Sequence, residues 1–175
     1  MEKQQRKIIR LQRFDYSSNG CYYVTICTRE SSHLFGEIVG ADDPVRPDVN
    51  VARMNLSQVG QIVYDCWYKI NDIYPNVRTD AFCVMPNHIH GIIVISNPTK
   101  TDGFITGGQG RPPLQKIMQG YKSVTTRLCF DLGYHHIWQR SYYDHIIRNS
   151  NSYDEIRRYI LTNPQNWAKD ELYDT

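Results

Sequence analysis

Residues 81–95 constrain the fold more strongly than any other part of the chain. Two apolar runs, 81–85 and 88–95, are separated only by Pro86 and Asn87. Runs rich in β-branched residues favour strands, and a Pro-Asn pair suits the centre of a tight turn. The segment therefore predicts two strands that fold back on each other in antiparallel fashion.

Two sequence signals predict the other elements. Runs with alternating β-branched residues indicate strands, and apolar residues at helical spacing indicate helices. Ser57 is a predicted N-cap of the first helix, and Ser152 with Glu155 forms a predicted capping box at the start of the last one. That helix should end at Asn163, because Pro164 disfavours helical geometry in the residue before it. The predicted strands cover 21–28, 81–85, 88–95 and 138–148, and the predicted helices cover about 57–70, 114–128 and 152–163.

The predicted order is β-α-β-β-α-β-α, which places the chain in the α+β class. Its first six elements match a ferredoxin-like split β-α-β sandwich with a four-stranded antiparallel sheet, and the C-terminal helix is an addition. We expect a single domain over residues 1–175, with a basic N-terminal arm at 1–20 and a glycine-rich flexible loop at 97–113.

Composition narrows the class of protein. The five cysteines include no C-x-x-C pair, which disfavours a zinc knuckle or a disulfide framework and favours a reducing, cytoplasmic location. No apolar run approaches the ~20 residues that a membrane span needs, so no membrane association is expected.

His88 and His90 lie two residues apart in the predicted strand 88–95. Residues i and i+2 of a strand point to the same face, so the two imidazoles should project side by side. Such a pair is half of a site for a divalent metal, although an isolated H-x-H is more often structural. Both interpretations stay open from this motif alone.

Tyr159 and Asn163 stand four residues apart on the last predicted helix and therefore share a face. Arg157 and Arg158 supply positive charge, which should favour a phosphate and stabilise a phenolate. Asn163 offers a neutral oxygen ligand that Mg²⁺ or Mn²⁺ accepts. Competing candidates for a nucleophilic tyrosine are Tyr121, Tyr142, Tyr143 and Tyr153.

Net charge is only +2, so any case for nucleic acid depends on where the charges lie. One basic cluster occupies the first thirteen residues, and a second set follows residue 116. Either set is also compatible with ordinary solvated surface charge. The residues predicted to contact DNA phosphates are Arg10, Arg13, Lys122, Arg127, Arg148, Arg157 and Arg158.

Four sequence blocks together resemble the one-tyrosine HUH (His-hydrophobic-His) transposases, and within them the REP-associated tyrosine transposases and their insertion-sequence relatives. The resemblance extends over nearly the whole chain from about residue 8, and the second and fourth blocks are specific in combination. In the insertion-sequence relatives a glutamine often stands four residues after the tyrosine, so Asn163 favours the REP-associated branch. The blocks are YYVTICT at 22–28, MPNHIH at 85–90, WQRSYYDHIIR at 138–148 and YILTNP at 159–164.

The resemblance implies a metal-dependent endonuclease and strand transferase that cuts and rejoins single-stranded DNA near hairpins. His88 and His90 would bind Mg²⁺ or Mn²⁺, and Tyr159 would attack a phosphodiester to form a 5′-phosphotyrosine intermediate. A REP-like DNA hairpin would guide the cut, which implies a protein associated with the nucleoid.

Two other functions remain as alternatives: a hairpin-binding repressor or structural factor without catalysis, and a metal-dependent phosphodiesterase that uses water. The sequence also leaves open whether the protein is a monomer or a homodimer. It does not specify whether Tyr159 serves the histidines of its own chain or those of a partner.

Overall fold

The computed structural model describes residues 19–40, 52–96 and 113–173. Almost all of the predicted arm at 1–20 and loop at 97–113, together with Arg10 and Arg13, therefore lie outside the described residues. The described strands are β1 (Gly20–Cys27), β2 (Gly36–Val39), β3 (Arg53–Leu56), β4 (Val77–Val84), β5 (His88–Ile95) and β6 (Tyr143–Ile147). The α-helices are α1 (Gln58–Tyr68), α2 (Ile70–Ile73), α3 (Pro113–Phe130) and α4 (Ser150–Thr162), with 3₁₀ helices at Arg29–Ser31 and Asn163–Lys169.

The main sheet has four antiparallel strands in the order β4-β5-β1-β6. Strands that follow each other in the chain, β4 and β5, are neighbours, whereas β1 lies between β5 and β6. This is the strand order of a ferredoxin-like fold, and the α+β prediction is confirmed. β2 and β3 form a separate two-stranded sheet that the sequence did not predict.

Two apolar layers cover the two faces of the main sheet. The larger layer joins one face to α1 and α3 through residues such as Val24, Ile89 and Trp67. Trp67 occupies the space above Gly91, where an added Cβ would lie only 2.2 Å from the indole Cζ2. The smaller layer joins the opposite face to α4 through residues that include Ile92 and Ile160.

Because residues alternate between the faces, His88 and His90 share the α4 face with Ile92. A register shift between Thr79 and Phe82 interrupts the alternation in β4. This β-bulge lies beside Asp80, whose carboxylate meets α4 through Tyr153 and Arg157. α4 is therefore held against the sheet face that carries the histidines.

Several predicted boundaries need correction. β6 is shorter than 138–148, because Trp138 makes only an isolated bridge with Thr28 and its indole donates to Thr125 Oγ1 at 2.8 Å. The N-cap of α4 is Asn149, whose side chain accepts from the Ser152 amide at 2.8 Å, so Ser152 lies inside the helix. The predicted cap at Ser57 is confirmed, since Ser57 Oγ accepts from the Gly60 amide at 3.0 Å.

The predicted turn between β4 and β5 is confirmed, as β4 ends at Val84 and β5 begins at His88. α4 ends at Thr162, next to the predicted last residue Asn163, and Pro164 lies in the first turn of the following 3₁₀ helix. In the part of the chain described here, no helix has the length and apolar character needed to cross a bilayer.

Candidate active site

Two buried imidazoles face each other at the start of β5. His88 and His90 are 0% and 2% exposed, and their Nε2 atoms lie 3.0 Å apart. They stand opposite Cys27 and Thr25 of β1 in the sheet register. The rigid central position of β5 fixes the separation of the two rings.

Neighbouring polar groups orient both rings. The Asn87 side chain donates through Nδ2 to the Leu172 carbonyl at 2.9 Å, and its Oδ1 lies 2.8 Å from His88 Nδ1. Because an amide oxygen only accepts, His88 Nδ1 carries the proton and Nε2 presents a lone pair. His90 Nδ1 contacts Tyr23 Oη at 2.7 Å and Thr25 Oγ1 at 2.9 Å.

Burial keeps both imidazoles neutral. It lowers the pKa of His88 to about 3, with a further contribution from His90, and it also lowers the pKa of His90. A neutral imidazole is the form that binds a metal. The lone pair of His88 Nε2 therefore points at His90 Nε2, and a cation bound between these two nitrogens would contact both.

Asp170 brings a carboxylate to the same point. It follows the 3₁₀ helix Asn163–Lys169, and its Oδ2 lies 3.9 Å from the Nε2 atoms of both His88 and His90. Burial alone raises the pKa of Asp170, but contacts with His90, the Leu172 amide and Asn163 outweigh it and hold that pKa well below its usual range. The group is therefore a carboxylate at neutral pH.

Tyr159 completes the cluster from α4. Its Oη donates to Asp170 Oδ2 at 3.2 Å and lies 3.4 Å from His90 Nε2, while the side chain stays 44% exposed. Burial raises the pKa of Tyr159 to about 12, and the Asp170 carboxylate contributes further. The hydroxyl opens onto a cavity of about 490 Å³ that Tyr23 and Tyr143 also line.

The prediction that Arg157 stabilises a phenolate at Tyr159 is wrong. The Arg157 Nε atom lies 3.5 Å from Asp80 Oδ1, so the guanidinium engages β4 instead of the tyrosine hydroxyl. The charge next to Tyr159 is the negative one of Asp170, and it adds to the effect of burial in raising the pKa of the phenol.

Asn163 is buried and has one free oxygen. Its Nδ2 donates to Asp170 Oδ2 at 2.8 Å, whereas its Oδ1 has no hydrogen-bond partner among the described residues. An orphaned buried amide oxygen costs free energy unless a cation or donor satisfies it. The sequence prediction that Asn163 is a metal ligand stays a prediction.

These donors fit a divalent cation. The ligand atoms of His88, His90 and Asp170 all lie within 4.8 Å of one another. Adjacent ligands of an octahedral ion bound at ~2.1 Å stand about 3 Å apart, which is close to the observed separation of the imidazoles. Two imidazole nitrogens, a carboxylate and a nearby amide oxygen form a mixed donor set that leaves positions open for a substrate.

The other candidate tyrosines have different surroundings. Tyr121 is buried and donates to the Val63 carbonyl, and Tyr153 donates to Asp80. Tyr142 and Tyr143 line the cavity, and Tyr143 contacts the ring of Tyr23 edge-on. Of the five tyrosines considered, only Tyr159 is within hydrogen-bond distance of the histidines in the described part of the chain.

Two of the residues predicted to contact DNA, Lys122 and Arg127, line a separate groove on α3. Arg148 and Arg158 are exposed, and their contact with DNA stays a prediction. Sequence reasoning also missed Asp170 and the orienting role of Asn87. Asp170 lies beyond the last predicted element, and Asn87 offered only a turn signal.

Comparison with known proteins finds a relative that this chain matches over almost its whole length. No protein-family model matches it. An uncharacterized protein of Haemophilus influenzae (strain ATCC 51907 / DSM 11121 / KW20 / Rd) is 35% identical over 185 residues, which cover 96% of this chain and 93% of that protein.

Among solved structures, a REP-associated tyrosine transposase bound to a REP hairpin is similar with a TM-score of 0.57 and 23% identity, over 89% of this chain and 72% of that one. The four-stranded antiparallel sheet and its helices match that structure. The chain therefore belongs to the same protein family as the uncharacterized Haemophilus influenzae protein, and its fold is transposase-like.

Proposed function

We propose that this protein is a metal-dependent single-stranded DNA endonuclease and strand transferase, a transposase that uses Tyr159 as its nucleophile. One observation carries the proposal: a single oxygen, Asp170 Oδ2, lies 3.2 Å from the Tyr159 hydroxyl and 3.9 Å from both histidine Nε2 atoms. Nucleophile and metal donors thus share one point at the edge of an open cavity.

The covalent step exchanges one phosphodiester for another. Tyr159 Oη attacks the phosphorus, the P–O3′ bond breaks, and the 3′ oxygen takes a proton and leaves as a hydroxyl. The phenolic proton moves toward Asp170, which accepts its hydrogen bond, and passes on to water. In rejoining, a 3′ hydroxyl attacks the 5′-phosphotyrosine and releases Tyr159, so no external energy source is needed.

The cation would be held by His88, His90 and Asp170, with the Oδ1 atom of Asn163 as the predicted further ligand. A bound Mg²⁺ or Mn²⁺ would supply Lewis-acid polarisation of the phosphate and would offset the carboxylate charge that adds to burial in raising the pKa of Tyr159. Asn87, Tyr23 and Thr25 orient the imidazoles.

Hairpin DNA is the proposed substrate. The similar solved transposase is bound to a REP hairpin, and this supports a DNA hairpin with a single-stranded flank as the substrate class here as well. Tyr159 approaches the histidines of its own chain, which supports a site that one monomer completes.

The alternative of a hairpin-binding protein without catalysis explains less. Binding alone requires neither two buried imidazoles 3.0 Å apart nor a tyrosine hydroxyl directed at them. A phosphodiesterase that uses water would leave the position of Tyr159 without a function.

Trapping of a covalent complex separates the three functions. The protein is incubated with Mn²⁺ and a labelled DNA hairpin that has single-stranded flanks, then denatured and analysed by gel electrophoresis. The transposase proposal expects a labelled protein band that depends on Mn²⁺. Cleavage without that band indicates the hydrolytic function, and binding without cleavage indicates the silent one.

A further inference from the structure

A second cavity lies outside the cluster of histidines and Tyr159. It is an open groove of about 590 Å³ between α3 and the segment 136–140 that leads towards β6. The α3 residues along its wall recur at one-turn spacing, from Ser123 through Arg127 to Phe130, and thus share a helix face. Nothing in the proposed chemistry requires this groove.

The charge available in the groove is positive. Arg127 and Arg140 are both exposed, and neither forms an ion pair with any residue in the described segments. Asp131 is the acidic residue among the groove lining. Two unengaged guanidinium groups favour phosphate, which they bind through forked hydrogen bonds.

Lys122 has a different task from the phosphate contact predicted for it. Its Nζ donates to the carbonyls of Gln139, Arg140 and Ser141. The ammonium therefore ties the segment to α3 and fixes the backbone that carries Arg140. With three protein acceptors already in place, it is a positioning residue.

An aromatic ring is exposed on the same wall. Phe130 is 58% exposed, and the ring of His135 meets it edge-on at a centroid distance of 4.6 Å. An accessible aromatic face that a second ring supports is suited to stack on an unpaired base.

The groove adjoins the cavity that holds Tyr159. Gln139 lines both, and its backbone N–H donates to the Cys27 carbonyl at 3.0 Å, which anchors the dividing segment to β1. A polymer that leaves the cavity at Tyr159 has to pass only this segment to enter the groove.

We propose that the groove binds the single-stranded DNA that continues out of the Tyr159 cavity, with phosphates on Arg127 and Arg140 and an unpaired base on Phe130. This inference rests on the proposed function for its substrate class. It adds a binding site that discriminates unpaired strand from duplex, because a base within a duplex cannot lay its face against Phe130.

The test measures binding alone, in EDTA, so that it does not depend on cleavage. Fluorescence anisotropy compares a labelled oligothymidylate with a blunt DNA hairpin, using full-length protein. Phe130→Ala and the double variant Arg127→Gln/Arg140→Gln should each weaken oligothymidylate binding about tenfold. Hairpin affinity should change less than about twofold, and Phe130→Trp should restore binding to the single strand.

Matched controls remove the same chemistry from other surfaces. Arg29→Gln/Arg53→Gln removes two exposed charges, and Ile73→Ala removes an apolar side chain that is 59% exposed. Neither should alter oligothymidylate affinity by more than about twofold.

Wild-type affinity in the groove variants would overturn the proposal, and so would an equal loss for oligothymidylate and hairpin, since that marks a general charge effect. Failure of the proposed function has a separate signature. The wild-type protein would then form no covalent band with Mn²⁺, while its binding to oligothymidylate would still be measurable.

Discussion

The side-chain amide of Asn163 donates a hydrogen bond to Asp170, with Nδ2 2.8 Å from Oδ2. This contact joins the end of α4 to the segment that follows the 3₁₀ helix. It turns the buried amide so that Oδ1 has no hydrogen-bond partner within the described segments. Asn163, which its spacing from Tyr159 suggested as a metal ligand, thus positions the carboxylate of Asp170, which the sequence did not indicate.

Replacement of Asp170 should weaken metal binding. We expect Asp170→Ala to lower Mn²⁺ affinity at least about tenfold, because the carboxylate is the charged member of the donor set. Isothermal titration calorimetry measures the effect directly. His88→Ala/His90→Ala should abolish binding in the same experiment.

Glu171→Ala is the matched control for Asp170, since it removes an adjacent, exposed carboxylate. It should leave Mn²⁺ affinity within about twofold of wild type. Equal effects at the two positions would show that Asp170 acts only through the overall field of negative charge.

Tyr159→Phe should remove the covalent DNA adduct and leave DNA binding intact. The change deletes one hydroxyl from a side chain that is 44% exposed, so unfolding free energy should fall by less than about 1 kcal/mol. Denaturing gels report the adduct, and chemical denaturation reports the stability.

Tyr143→Phe and Tyr142→Phe test the specificity of that result, because both residues line the same cavity. Each should keep the adduct. Peptide mapping that places the DNA on either of these tyrosines would contradict the assignment of Tyr159.

The sequence was sufficient for the fold wherever local signals and tertiary contacts agree. The His88–His90 strand, the turn at Pro86 and Asn87, and the cap at Ser57 all follow from short-range chemistry. The start of α4 did not, because two polar residues, Asn149 and Ser152, compete as N-caps three positions apart and the structure uses the earlier one. The role of Asp170 could not be predicted from the sequence. The segment after α4 that brings it back to the histidines carries no periodic pattern of apolar residues.

The charges on α4 illustrate a second limit. Proximity in sequence suggested that Arg157 serves Tyr159, but residues two positions apart on a helix point in different directions. Arg157 instead reaches Asp80 beside the bulge of β4. The residue that Arg157 contacts depends on the register of β4, and spacing within the helix does not specify that register.

Asp80→Asn should loosen α4 and slow formation of the adduct. Asp80 accepts from Tyr153 and lies 3.5 Å from Arg157 and 3.7 Å from Arg78. Loss of this charge should cost about 1 kcal/mol of unfolding free energy, since the arginines are half exposed or more. Adduct formation should slow while Mn²⁺ affinity stays close to that of wild type.

Asp154→Asn provides the control on the same helix, where the exposed carboxylate has no partner among the described residues. Both its stability and its rate of adduct formation should match wild type. An Asp80 variant with the wild-type rate would show that this anchor does not position Tyr159.

Gly91→Ala should destabilise the protein by about 1 to 3 kcal/mol. The new Cβ would lie 2.2 Å from Trp67 Cζ2, and the indole is fully buried and stacks on Phe82 at a centroid distance of 4.5 Å. Thermal unfolding measures the loss. Adding Trp67→Leu should recover part of it, because the smaller side chain vacates the space above β5.

Gly120→Ala serves as the comparison in α3, where the closest atom to an added Cβ is the terminal hydroxyl of Tyr74 at 3.0 Å. The end of a long side chain can move, and alanine favours helix more than glycine does. Its unfolding free energy should therefore lie within about 1 kcal/mol of wild type.

A mixture of two inactive variants should remain inactive. Tyr159 Oη lies 3.4 Å from His90 Nε2 of the same chain, so one monomer contains both the nucleophile and the metal donors. We therefore expect Tyr159→Phe and His88→Ala/His90→Ala proteins, combined in equal amounts with Mn²⁺ and hairpin DNA, to form no covalent adduct. Denaturing gels with wild-type protein diluted into either variant provide the positive control. Recovery of the adduct to about a quarter of the wild-type level or more would show instead that Tyr159 acts on the histidines of a partner, since random pairing of two variants restores an intact site in that proportion.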